Sequence, residues 1–341
     1  MKVGVLTGGG DCPGLNPALR AIVLRSLDYG FELVGLRRGW AGLVEADTCE
    51  LSLPVVEDLI SQGGTYLESS RTNIFKKEGD LNRALDNFKA LQLEALIALG
   101  GEDTLGVAAK LFQLGLPTVG VPKTMDNDID YTDFTFGYDS AVAVGVDAAD
   151  RLRDTARSHR RIMVLEVMGR HAGWVALSVA VAGGADWVLI PEVAMDLEEM
   201  CAHLSHLRDR GKHYGLVVVS EGVDISLADT EAVSVDAFGH VILRERGVGE
   251  FVAKEIESRT GFETRLAVLG HIVRGGPPTA FDRILATRLG LRAVELVHRQ
   301  KFGYMSSLQG NQIVEVEMEK AVAQLKTVPI ELYQEVKALF K

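Results

Sequence analysis

Short apolar runs rich in β-branched residues alternate along the chain with stretches whose apolar positions recur every three or four residues. That alternation predicts a parallel sheet covered by helices on both faces. The runs place strands at about 3–7, 93–99, 118–121, 162–167, 187–190, 216–220 and 266–269. The periodic stretches place helices at about 15–27, 104–114, 139–156, 172–182, 197–210, 249–259 and 279–298. Glycines and polar turn residues collect after the strands, and open parallel sheets bind ligands at those carboxyl ends. No internal repeat or low-complexity segment interrupts the pattern.

Composition narrows the class. The 341 residues leave room for two domains, and 47% hydrophobic with 24% charged residues describes a folded globular chain. A net charge of −11 argues against nucleic acid and acidic membrane surfaces, which select clustered Lys and Arg. An anionic substrate would therefore need a local basic pocket. Cys12, Cys49 and Cys201 are widely spaced and form no Cys-x-x-Cys pair, as expected in a reducing compartment. The chain runs straight into the strand-like Val3-Gly4-Val5-Leu6, and no window approaches a membrane span. The expected location is the cytoplasm.

Three segments carry candidate chemistry. Gly8-Gly9-Gly10-Asp11-Cys12-Pro13-Gly14 stands between the first predicted strand and helix. Its glycines either let backbone amides approach an anion at the helix N-terminus or simply form a tight turn. The segment lacks the Gly-Lys-Ser/Thr ending of a Walker loop, and Asp11 and Pro13 break the dinucleotide-binding spacing. Gly100-Gly101-Glu102-Asp103-Thr104 repeats the arrangement and adds two acids. Beside a bound phosphate these carboxylates would repel it unless a cation lay between, which argues for magnesium. Alternatively they only complement the dipole of the helix they open.

The third segment is Pro122-Lys123-Thr124-Met125-Asp126-Asn127-Asp128. Asp126, Asp128 and Asp130 alternate where Pro122 and Asn127 oppose helix, and alternating residues of an extended chain share one face. A calcium loop is excluded because Tyr131 occupies the position that needs glycine and Gly137 the position that needs glutamate. Clustered carboxylates raise one another's proton affinity, which suits a general base acting on an alcohol. A solvated acidic turn is the plainer alternative. Taken together, the three segments supply the parts of a phosphoryl-transfer site: glycine amides, acids for a cation, a lysine and a base. Cys201, His203 and His206 are also close in sequence. Only the two histidines share a helical face and no fourth ligand is near, so a solvated helix surface is expected there.

In order and spacing these motifs resemble the bacterial type of the 6-phosphofructokinase family, from the first strand to the last helix. The resemblance includes Gly63-Gly64-Thr65 leading to Arg71, the stretch Asp150-Arg151-Leu152-Arg153-Asp154-Thr155, Val167-Met168-Gly169-Arg170, Ala182-Gly183-Gly184, and Gly270-His271-Ile272-Val273-Arg274-Gly275-Gly276. It implies an α/β fold of two Rossmann-like parallel-sheet domains. Residues 1–137 plus 273–322 would handle the phosphoryl donor, and 138–272 plus 323–341 fructose 6-phosphate. Asp126 would take the proton from the sugar's 1-hydroxyl, supported by Thr124 and Asp128, while Arg170 and Arg71 stabilise charge on the transferred phosphoryl group. Gly10, Asp103, Thr104 and Lys123 fall on the donor side. Glu102 falls at the metal position, with Mg2+ the expected cofactor, although aspartate is common there in the family. Met168, Gly169, Glu221, His271 and Arg274 match positions that hold fructose 6-phosphate. Arg161 and Arg265 match arginines that reach its 6-phosphate from a neighbouring subunit, so a homodimer or homotetramer is expected. Each residue also has a plainer role: Arg170 as a surface arginine, Glu221 as the end of a strand, His271 as a satisfied core histidine.

Relatives that use ATP usually carry glycine at the positions of Asp103 and Lys123. Here both are large and charged: Asp103 would crowd and repel a nucleotide's α-phosphate, and Lys123 could pair with a terminal phosphate. The chain therefore resembles the pyrophosphate-dependent branch, whose reaction is reversible and open to glycolysis or gluconeogenesis. ATP as donor is the near alternative and a non-catalytic sugar-phosphate sensor the distant one. Trp40 stands near the place where ATP enzymes stack adenine, as a relic, a packing residue or a residual nucleotide contact. Of the family's basic effector site, Arg20, Arg153, Arg210 and Lys212 remain, but Leu24 and Leu53 replace two arginines. Weak or absent regulation by ADP or phosphoenolpyruvate is expected. Residues 223–246 look like an insertion, with Asp224, Ser226 and Gly239 suggesting turns around a hairpin.

Overall fold

The apolar runs become strands and the periodic stretches helices in a computed structural model, described here for residues 1–225 and 247–340. The strands in chain order are β1 (Lys2–Thr7), β2 (Glu32–Leu36), β3 (Thr48–Glu50), β4 (Ala95–Gly100), β5 (Thr118–Thr124), β6 (Phe136–Gly137), β7 (Ile162–Val167), β8 (Trp187–Leu189), β9 (Gly215–Ser220), β10 (Thr264–Val268), β11 (Tyr304–Gln309) and β12 (Gln312–Glu317). They form an α/β architecture with two sheets. The larger has the order β12-β11-β5-β4-β1-β2-β3 with β6 beside β5, and the smaller has the order β10-β7-β9-β8. β1 pairs in parallel with β2 on one side and β4 on the other, and every pairing in the smaller sheet is parallel.

Strands buried on both faces explain why the apolar runs were legible. All of β4 and all of β9 is buried, as parallel strands covered by helices must be. The less apolar strands escaped that pattern for a physical reason. β2 carries Glu32 and Gly35 within a five-residue strand. In β11 the polar pair Ser306 and Ser307 is fully buried, and Ser307 donates its hydroxyl hydrogen bond to the carbonyl of Tyr131. β3 and β12 are half-exposed outer strands whose alternation never reads as a core. The helices Asp80–Ala90 and Ile330–Lys337 were also unread; both are amphipathic surface helices with two buried residues each.

Two helix starts are locked together next to the site. The helix Tyr138–His159 follows β6 directly, and its Ser140 donates from both N–H and hydroxyl to Asp282, at 2.8 and 2.6 Å. Thr279, the N-cap of the helix Ala280–His298, donates to Asp139 and accepts from the N–H of Asp282. Burial pushes the Asp282 carboxyl up to about 6, against the pull of those donors. Trp40 is 1% exposed and packs among Leu6, Leu36 and Leu43, so of its three readings the packing role holds. Among the described residues no helix is long and apolar enough to cross a membrane. Ser226 and Gly239, named as hairpin turns, lie outside the described residues.

Candidate active site

The carboxyl ends of β1, β4 and β5 deliver the three motifs to one pocket. Its opposite wall comes from the ends of β7 and β9 and from the turn after β10. Gly10, Arg71, Glu102, Asp103, Thr104, Lys123, Thr124, Asp126, Asp128, Met168, Arg170, Glu221 and Arg274 all line it. Residues separated by more than two hundred positions in sequence thus meet at the position where an open α/β sheet binds its ligand.

On the larger sheet's side, the glycines serve a purpose the sequence did not disclose. A Cβ on Gly8 would lie 2.6 Å from the Thr104 hydroxyl, and one on Gly100 would lie 2.3 Å from the Thr104 Cβ. A Cβ on Gly10 would sit 2.5 Å from the Arg274 guanidinium. These three glycines make room for side chains; Gly9, in the left-handed region at φ 79°, and Gly101 line the pocket itself. Replacing Gly100 with alanine is expected to cost about 1–3 kcal/mol through overpacking against Thr104. Thermal unfolding would register this as a Tm several degrees lower, and adding Thr104→Ala should not restore it, because alanine keeps the Cβ that is the nearest clashing atom.

Lys123 is 2% exposed, and its ammonium donates to the carbonyl of Gly10. Burial lowers its pKa and nearby Arg274 adds to the effect, while Asp11 and Asp126 oppose it. Glu102 and Asp103 occupy the first turn of the helix Glu102–Gln113. Both also line the pocket, so a place in the first helical turn does not keep them from it.

The segment after β5 bends at once. Thr124 accepts a hydrogen bond from the N–H of Asp126 at 3.1 Å, and Asn127, 1% exposed, takes the left-handed φ of 53°. Asp126 and Asp128 both face the pocket. Asp130 does not: beyond the Asn127 kink Ile129 bridges to Leu325, and Asp130 accepts from Gln324 at 2.7 Å in a neighbouring cleft. The shared face predicted for all three acids holds for two of them. Burial raises the Asp126 carboxyl above its ordinary range, opposed by the positive charges of Arg274, Arg170 and Lys123. Asp128 is pushed up to about 7 by burial, then by the charges of Asp126 and Glu102.

The smaller sheet supplies the rest. Gly169 has φ 149°, and a Cβ there would lie 2.8 Å from both the Ala172 carbonyl and the Ser220 hydroxyl, which fixes the loop that presents Met168 and Arg170. Glu221 follows β9 with its N–H on the Val167 carbonyl at 3.0 Å, and burial raises its carboxyl, with Asp126 adding to the rise. His271 lines an adjoining cleft with Arg71, Glu166 and Glu221 and is exposed, so it is no core histidine. Arg161 and Arg265 stand at the amino ends of β7 and β10, paired with Glu263, and do not reach this chain's own pocket.

Sequence reasoning missed His171 and Glu166. His171 lines the pocket and directly follows the Val167-Met168-Gly169-Arg170 motif, a signal that was present. Glu166 reads as an ordinary strand residue. Its carboxylate accepts from the N–H of Gly249 at 2.7 Å and so ties β7 to the helix Val248–Thr260. The solvated helix surface expected at Cys201, His203 and His206 holds only for His206: Cys201 is buried in the packing of this helix, and the half-buried His203 ring lies 5.4 Å from that of Trp187.

With this geometry in place, the chain can be assigned. A family model described as phosphofructokinase matches residues 2–297, and the chain belongs to that family. A relative named pyrophosphate–fructose 6-phosphate 1-phosphotransferase from Dictyoglomus thermophilum is 53% identical over 100% of this chain and 99% of its own length. A relative named ATP-dependent 6-phosphofructokinase 3 from Streptomyces coelicolor is 46% identical over 98% of both chains. Among solved structures, Pichia pastoris phosphofructokinase in the T-state superimposes with a TM-score of 0.83 at 30% identity. That match covers 99% of this chain, which spans only 36% of the Pichia chain.

Proposed function

We propose that this chain transfers a phosphoryl group from pyrophosphate to the 1-hydroxyl of fructose 6-phosphate, giving fructose 1,6-bisphosphate and phosphate. The observation that carries the choice of donor is the buried Lys123 ammonium under the Gly10 loop, with Asp103 lining the same pocket. A fixed cation suits a compact terminal phosphate, and a carboxylate at Asp103 repels a longer nucleotide. Asp126 is the base that takes the hydroxyl proton, with Thr124 and Asp128 holding its segment. Arg71 and Arg170 balance charge on the moving group, while Met168, Gly169, Glu221, His271 and Arg274 hold the sugar phosphate. Supporting the domain division at 137 and 273 is the distribution of strands, since all of the larger sheet falls in 1–137 and 273–322.

The acidic residues fit a divalent cation. Asp126 and Glu102 each raise the proton affinity of Asp128, a like-charge repulsion that a cation relieves. Three-carboxylate cages are absent among the described residues, and magnesium, which keeps water and phosphate oxygens as ligands, does not require one. Glu102 would hold Mg2+, which supplies charge neutralisation at the donor phosphates. Arg161 and Arg265, turned away from this pocket, are assigned to the 6-phosphate in a neighbouring subunit of a homodimer or homotetramer. The three cysteines are unpaired, in keeping with a cytoplasmic enzyme.

The test is initial rate with fructose 6-phosphate and magnesium, pyrophosphate in one assay and ATP in the other, coupled through aldolase. Turnover with pyrophosphate is expected, with ATP at least a hundredfold less effective in kcat/KM. Turnover with ATP alone would keep the base and overturn the donor; silence with both would leave a sugar-phosphate sensor.

A further inference from the structure

The kink that presents Asp126 and Asp128 is held from behind by a residue far along the chain. Lys326 lies past residue 297, where the family-model match ends. Its ammonium donates to the Asn127 side-chain oxygen at 3.0 Å and to the carbonyls of Thr132 and Asp133 at 2.8 and 3.0 Å. Those are the three donors an ammonium has, and all three go to one turn. Its own N–H donates to the carbonyl of Asp128 at 2.8 Å, beside the Ile129 to Leu325 bridge. Its carbonyl accepts from the Trp174 indole N–H at 2.9 Å, and its ammonium stands 5.5 Å from the centre of the Trp174 ring.

We propose that Lys326 is a positioning residue for the reaction: through Asn127, which sits between Asp126 and Asp128, it fixes the left-handed kink that turns both carboxylates into the pocket. A φ near 53° is uncommon outside glycine, and asparagine is among the residues that tolerate it best; the lysine adds a fixed direction for its side-chain oxygen. Its side-chain oxygen also accepts from the N–H of Thr135 at 3.1 Å. The ammonium therefore closes a ring of bonds running 127, 132, 133 and 135. Burial lowers the Lys326 pKa to about 8, with Asp128, Asp133 and Asp130 opposing that shift, so near neutral pH the ammonium keeps its three hydrogens. Trp174, on the helix Trp174–Gly183, fixes the lysine's backbone from the smaller sheet's side. The base segment is thereby tied to both halves of the molecule.

This inference rests on the phosphotransferase reading, so wild-type turnover is measured first. Lys326→Met is expected to lower kcat about 10- to 100-fold, with KM for fructose 6-phosphate and for pyrophosphate within threefold. Lys326→Arg should restore most of the loss. Amide hydrogen exchange should rise in Lys326→Met over residues 124–135 and not in β1 or β9; this readout stands even if the wild type turns over neither donor. A folded Lys326→Met with kcat within twofold, a loss confined to KM, or unchanged exchange over 124–135 would each overturn the proposal. Should Lys326→Met fail to fold, Trp174→Phe, which removes the indole N–H together with part of the ring, decides by both readouts: a severalfold loss of kcat at constant KM with raised exchange over 124–135 supports the proposal, and unchanged kcat or unchanged exchange overturns it.

Discussion

Replacing Asp126 with asparagine is expected to lower kcat by about 10²–10⁴-fold, the range a positioned general base contributes, while leaving KM for fructose 6-phosphate within a few-fold. At about 1.4 kcal/mol per factor of ten, that loss is roughly 3–5.5 kcal/mol of transition-state stabilisation. The amide keeps the size of the side chain and the pocket it faces, so binding is spared and only the proton acceptor is lost. The wild-type pH profile carries a second signature. Burial raises Asp126, and Asp128 is pushed up to about 7. The two share one pocket, and their titration belongs to the pair. A base must be unprotonated to act, so kcat/KM of the free enzyme is expected to climb with pH through a limb above the ordinary carboxylate range and to be lost as pH falls through it. In Asp126→Asn the residual rate should lack that limb. A variant within fivefold of wild type, or one with the limb intact, would remove Asp126 from the role of base.

How much of this was legible in the sequence depends on which residues carried it. The apolar runs that became β1, β4, β7 and β9 were read within a few residues because strands covered on both faces must be apolar. β11 was not, because its buried Ser306 and Ser307 have the composition of a loop, and the tertiary contact with the Tyr131 carbonyl accounts for Ser307 alone. At the site, residue types and spacing pointed to the acids and the lysine, and the family resemblance to the arginines. Types and spacing could not tell a glycine that only lines the pocket from one that makes room for Thr104 or Arg274, because for Gly8 and Gly10 that distinction belongs to packing between segments ninety or more residues apart. Nor could alternation place Asp130: the left-handed turn at Asn127 breaks the extended chain, and the residue that holds it, Lys326, comes from the other end of the sequence.

Lys123→Met is expected to reduce kcat/KM for pyrophosphate by roughly 10²–10³-fold, within the 2–5 kcal/mol typical of removing one partner of a desolvated charge pair, with KM for fructose 6-phosphate unchanged. The ammonium is 2% exposed before any donor arrives, so most of its desolvation cost is already met in the folded chain. Contact with an anionic oxygen then costs little more, and the gain appears as affinity for the donor alone. Methionine matches the stem in length and flexibility, which keeps the packing beneath the Gly10 loop. The Gly10 carbonyl, which now accepts from the ammonium, would lose its partner, and thermal unfolding should record a further cost of about 1–3 kcal/mol. The two effects separate by readout: stability follows the lost bond to Gly10, while the donor-specific change in kcat/KM follows the lost charge. A variant that is less stable yet keeps kcat/KM for pyrophosphate within threefold would make Lys123 a prop for the loop, and donor choice would then rest on Asp103 alone.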